Sequence, residues 1–126
     1  IQIQIDLKKV INIKEKLNKF NDHWSPKIIA DFNNHDIKLV KLKGEFVLHK
    51  HDETDEVFIV LEGVLKIKFK DKIQIINKGE MIVIPRGENH KPFCDKECKI
   101  LIIEKKNTIN TGNNFNDLTS PNDIWI

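Results

Sequence analysis

At 126 residues the chain is the length of one ordinary domain and too short for two. Its formal net charge of +2 is slight, and its twenty lysines and single arginine, Arg86, are interspersed with acids, which argues against a nucleic-acid partner. No stretch approaches the roughly 20 apolar residues of a membrane span, and Ile1 to Asp6 lacks a basic region followed by a long apolar run, so a cytoplasmic protein with no membrane partner is expected.

In chain order, Asn12 can cap a helix whose third residue is Glu15, and Ile13, Leu17 and Phe20 fall at i, i+4 and i+7. This spacing predicts a short amphipathic helix over residues 13 to 21, lying against the rest of the domain. After Pro26 the pattern changes to short runs of β-branched and apolar residues. Strands are expected at Ile28 to Phe32, Ile37 to Lys43, Phe46 to His49, Val57 to Leu61, Leu65 to Phe69, Ile73 to Ile76, Met81 to Ile84 and Lys99 to Glu104. Turn residues separate them, at Asn33-Asn34, Gly44, Glu62-Gly63, Asp71-Lys72, Lys78-Gly79, Pro85-Arg86-Gly87 and Asp95-Lys96. Connections this short exclude βαβ crossovers and predict an antiparallel sandwich or barrel. The domain therefore divides into a helix and arm over 1–26, a barrel over 27–106 and a C-terminal strap over 107–126. The strap's apolar end, Ile124-Trp125-Ile126, is expected to dock on the barrel or on a second subunit.

The chemistry lies between residues 44 and 94. Side chains alternate along a strand, so His49 and His51 point the same way with Lys50 opposite, as two imidazoles sharing one ion require. Glu56 opens the next apolar run, and His90 follows the Pro85-Arg86-Gly87 turn, which presents it from the opposite side. Three neutral imidazoles and one carboxylate suit one divalent transition metal, Fe, Mn, Ni, Co or Zn, and leave positions for water or substrate.

These residues resemble both short motifs of the cupin superfamily. The first is Gly44, His49-Lys50-His51, Glu56 and Gly63, with four residues between His51 and Glu56 and six between Glu56 and Gly63. The second is Gly79, Pro85, Gly87 and His90, at spacings of five, one and two. Two departures, four residues rather than five between Gly44 and His49 and Cys94 in place of the usual Asn, fall outside the ligand positions. The resemblance implies an all-β antiparallel cupin barrel of jelly-roll type, a metal held by His49, His51, Glu56 and His90, and a homodimer. Within the superfamily the chain is similar to the small single-domain group labelled mannose-6-phosphate isomerase-like.

Fold-level likeness does not fix a reaction. The leading expectation is a metalloenzyme of isomerase, lyase or dioxygenase type acting on a small metabolite that chelates through oxygen, with Glu56 as a base where it is not tied to the metal. The alternative is a non-catalytic binding or sensing module. Cys94 shares the parity of His90 and reads, with Phe58 and Val60, as pocket wall rather than as a nucleophile or fifth ligand. Cys94 and Cys98 read as reduced thiols, since two cysteines make no disulfide framework. Glycines 44, 63, 79 and 87 read as turn positions with positive φ. His23, Trp24 and His35 lie outside the motifs, Asp52, Glu53 and Asp55 read as a solvated loop, and the scarcity of arginine weighs against a phosphorylated substrate.

Overall fold

The computed structural model describes residues 8–126; the reading of Ile1 to Asp6 lies outside the described residues. Among the described residues one helix, α1 (Ile13–Leu17), precedes seven strands: β1 (Lys27–Phe32), β2 (His35–Glu45), β3 (Glu56–Glu62), β4 (Val64–Lys68), β5 (Ile73–Asn77), β6 (Met81–Ile84) and β7 (Lys91–Lys105). Every strand pairing is antiparallel, giving the all-β barrel that the alternating runs predict. The strands run in the order β1-β2-β7-β3-β6, and β4 joins β5 to the first part of β7.

Three elements differ from expectation. The Asn12 side chain does cap α1 by accepting from the Glu15 N–H at 2.9 Å, but the helix ends at Leu17 rather than residue 21. Its last turn closes through Lys19 N to Lys16 O at 3.1 Å, which turns the chain so that Phe20 is buried with Leu17, Ile29 and Leu39. The run from Phe46 to His49 is not a strand. Phe46 N donates to Pro92 O at 2.9 Å, and Pro92 has no N–H to return, so a continuous ladder cannot form there. Asp95 and Lys96 are not a turn but part of β7. Register shows why: Gly44 faces Cys94 while Leu42 faces Cys98, so Asp95–Glu97 bulge outward opposite Lys43 and the strand continues.

This bulge lets β7 serve both walls of the barrel, pairing β4 before it, β3 after it and β2 on both sides. The main core fills the space between them with Val40, Leu42, Phe58, Val60, Leu65, Ile67, Ile100 and their neighbours. Glycines 44, 63, 79 and 87 all have positive φ. At Gly63 a Cβ would also meet Glu97 O at 2.8 Å, so this turn between β3 and β4 depends on glycine twice over. The C-terminal strap closes one end. Asn110 Nδ2 donates to Trp24 O at 2.8 Å and to Leu118 O at 2.9 Å. Its last residues dock on the barrel edge: Ile28 N donates to Ile124 O at 2.7 Å, and Ile126 N donates to Ile28 O at 3.1 Å.

Candidate metal centre

His49 and His90 form an isolated antiparallel bridge, with His90 N donating to His49 O at 2.8 Å and His49 N donating to His90 O at 3.1 Å. The bridge sets the two rings 4.3 Å apart between centroids. The predicted alternation holds without a strand: His49 and His51 are buried, Leu48 is 55% exposed, and Lys50 turns away from the pair to Asp52 at 3.4 Å. Glu56 opens β3 and is buried.

The four side chains converge. One potential ligand atom from each of His49, His51, Glu56 and His90 lies within 4.8 Å of the others, and all four residues are buried. Glu56 Oε1 is 3.1 Å from His51 Nε2 and 3.5 Å from His90 Nε2, yet the three atoms make no aligned hydrogen bond. Buried polar atoms left so are costly, and here they point at a common position. The far sides of two rings are fixed: His49 Nδ1 donates to Val47 O and His90 Nδ1 donates to Glu88 O, each at 2.9 Å. Those bonds select the tautomer that frees Nε2 to bind a metal. The donor set and its unpaired atoms fit a divalent transition metal.

Electrostatics agree with a site built for a cation. Burial, reinforced by the neighbouring His90, lowers the His49 imidazole to about 4, so it is a neutral ligand at ordinary pH. Burial alone would raise the Glu56 carboxyl, but Glu104, His51 and His90 beside it hold it well below the usual carboxylate range. Glu104 goes the other way. Burial, and then the charge of Glu56, push it well above that range against the pull of Lys38. The Lys38 Nζ to Glu104 Oε1 distance is 2.9 Å, with the side chains 1% and 2% exposed.

Two spaces flank the centre. An inner cavity of about 40 Å³ touches His49, Glu56 and Glu104 and is walled by Trp24, Phe46, Phe58, Ile100 and Ile102. An outer cleft of about 460 Å³ touches His51, the Asp52–Thr54 loop and the strap around Gly112. A Cβ on Gly112 would lie 2.1 Å from Lys50 O and 3.2 Å from His51 Nδ1, so only glycine lets the strap pass this close to the His51 ring.

Of the expected wall residues, Phe58 lines the inner cavity, whereas Val60 and Cys94 are buried in the apolar core. Burial raises the Cys94 thiol, and raises Cys98 to about 12; both cysteines are free. His23 meets Glu97 at 2.7 Å, and His35 bonds its own turn at Asn33 O. Asp55 is tied to Arg86. Trp24, Lys38, Glu104 and Asn110 were not singled out from the motifs. For Lys38 and Glu104 a signal existed: each shares the parity of buried apolar neighbours, Val40 and Leu42 or Ile100 and Ile102, and a charge on an inward row is exceptional.

Fold and site together define a small antiparallel barrel with a buried three-histidine, one-glutamate group able to hold a metal. The family profile described as "Cupin domain" matches residues 38–104, and the chain belongs to that family. It is 34% identical over 101 residues to the protein YdbB of Bacillus subtilis (strain 168), covering 79% of this chain and 89% of that one. It is 55% identical to the crystal structure of a cupin-2 domain containing protein from Shewanella frigidimarina NCIMB 400, with a TM-score of 0.75 over 76% of this chain and 94% of that chain. Protein NMB1881 from Neisseria meningitidis is 33% identical, with a TM-score of 0.71 over 77% and 99%. Among the described residues no helix is long and apolar enough to cross a membrane.

Proposed function

We propose that this chain binds one divalent transition metal through His49, His51, Glu56 and His90 and acts as a metalloenzyme on a small, uncharged molecule that chelates through oxygen. The carrying observation is the convergence of three buried, unpaired atoms, His51 Nε2, His90 Nε2 and Glu56 Oε1, on one position. When bound there, the metal supplies Lewis-acid polarisation of a substrate oxygen. The chain's own residues do the rest. Phe46, Phe58 and Trp24 give the inner cavity an apolar wall, and the bonds to Val47 O and Glu88 O hold the imidazoles in the ligating tautomer. Glu56, the candidate base, is directed to ligation by its position between His51 and His90, while Glu104 is the further carboxyl on the cavity wall.

The substrate reading rests on charge. Among the described residues, the buried lysines are engaged: Lys27 with Asp22 and Ser25, Lys38 with Glu104, and Lys41 with Phe20 O. Arg86 is on the surface with Asp55. A phosphate in the inner cavity would meet no free cation; the outer cleft beside His51, lined by Lys50, Lys105 and Lys106, is where a sugar phosphate of the mannose-6-phosphate isomerase-like kind would have to place it. The non-catalytic reading draws on size, because about 40 Å³ accommodates no substrate until the strap moves.

The test is elemental analysis of untagged protein purified without chelator, beside the His49→Ala/His51→Ala variant. About one metal per chain in the parent and none in a folded variant is expected. Iron, nickel or manganese points to oxygen-consumption screens, and zinc to isomerase or lyase assays. No metal, even after reconstitution, sinks the proposal.

We propose further that the chain is a homodimer through the outer face of the sheet. Register aligns two apolar rows there, Ile37–Ile103–Val57–Val83 and Leu39–Leu101–Ile59–Met81. α1 and Ile126 cover the β2 end, while Met81 and Val83 at the other end are 56% and 53% exposed.

A further inference from the structure

The Val57–Ile103 pair of β3 and β7 fixes what stands one step beyond it: Glu56 faces Glu104 across the strands, both side chains inward and both touching the inner cavity. Two carboxyls directly opposite one another are destabilising unless something compensates them. The compensation comes from β2, whose Lys38 is opposite Ile102 and therefore reaches Glu104 diagonally. Lys38 Nζ donates to Glu104 Oε1 at 2.9 Å and to Thr108 O in the strap at 3.4 Å. The other oxygen, Glu104 Oε2, is buried with no hydrogen-bond partner of the ordinary kind.

A pair of ionisable side chains this deeply buried contributes little to stability compared with apolar residues of the same size. Its retention on the inward row therefore calls for another role. We propose that Lys38 and Glu104 are positioning residues of the metal centre: Lys38 anchors Glu104, and Glu104 fixes the Glu56 carboxylate so that Oε1 is presented between His51 and His90. This inference rests on the metal reading above and deepens it. Outer groups that orient a ligating carboxylate affect metal affinity without touching the metal. The chain of contacts also reaches the strap at Thr108, so the same lysine ties the strap to the centre.

The experiment uses Co(II) as probe, its affinity measured by chelator competition and its coordination by visible absorption, on the full chain. Glu104→Gln supplies both an acceptor for Lys38 and a donor for Glu56, and should bind within about threefold of the parent. The Lys38→Met/Glu104→Leu variant removes both partners together, so it leaves no unpaired buried ammonium or carboxyl and should fold. It should bind Co(II) about 10- to 100-fold more weakly, with a changed spectrum. A pair with a structural role only would alter the unfolding temperature of the metal-free protein and leave both readouts unmoved. Equal affinity and spectrum in the parent and the double variant would overturn the positioning role while leaving the metal reading intact. A parent that binds no Co(II) would overturn both.

Discussion

The two faces of the same sheet invert the ordinary pattern of an antiparallel sheet, in which one face packs on the core and the other, polar, meets water. The inner rows of β2, β7 and β3 carry Lys38, Glu104 and Glu56 beside Val40, Ile100 and Val60. The outer rows are apolar from Ile37 to Val83 and from Leu39 to Met81. Charge inside and apolar surface outside both work against the stability of an isolated barrel. The inner face thus carries the buried ionisable group at one end and the apolar core at the other, while the outer apolar rows remain partly exposed.

The sharpest way to break that division is in the apolar half of the inner face. Leu65 is fully buried in the main core and lines neither space beside the centre, and Leu65→Ala should destabilise the protein by about 2–5 kcal/mol through lost contacts and the cavity left behind. Metal affinity per folded molecule should be unchanged. Urea denaturation and chelator competition on one sample give both numbers, and a parallel loss of affinity would show that the two halves are not separate.

The charged half should announce itself in the pH dependence of the metal-free protein. His49, faced by His90, His51 and Glu56, is lowered from 6.5 to about 4. The unfolded chain therefore binds the extra proton between those values, and stability is lost as pH falls through that window, by about 3 kcal/mol in total. Glu104 is raised well above 4.5, so its contribution has the opposite sign and is lost as pH rises above 4.5. The two oppose each other above pH 4.5, and up to pH 6.5 the parent should vary less than His49 alone would make it. Glu104→Gln removes the opposing group, so its unfolding temperature should climb as pH rises over the same window. A parallel profile for parent and variant would remove Glu104 from the account.

How much of this was legible in the sequence follows from what each residue depends on. Alternation and turn residues locate β1 to β6 within a few positions, because period-two burial is a local property. The ligand group was legible because His49, His51, Glu56 and His90 are fixed by short spacings around turns. Phe46 to His49 read as a strand because its composition is strand-like; the obstacle, Pro92, sits on the distant partner segment. The Asp95–Glu97 bulge looked like a turn for the same reason, since only the pairing of β7 with β2 shows the strand continuing. Lys38 and Glu104 are 66 residues apart, and their union depends on a register that no local pattern carries.

The outer face offers the smallest effect on the barrel and the clearest contrast with the inner one. Met81 and Val83 stand at the exposed end of the two apolar rows, on a strand that among the described residues pairs with β3 alone. Met81→Lys/Val83→Lys places two charges where the side chains already meet solvent, which within one barrel should change stability by no more than about 0.5 kcal/mol per site. Charges directly opposite one another across a subunit interface cost far more. Light scattering at micromolar concentration should therefore report a dimer for the parent and a monomer for the variant, with Co(II) affinity unaltered in both. A parent that is monomeric throughout would mean that α1 and the C-terminal residues are all the cover this face requires, and the apolar rows would then be explained by packing beneath them alone.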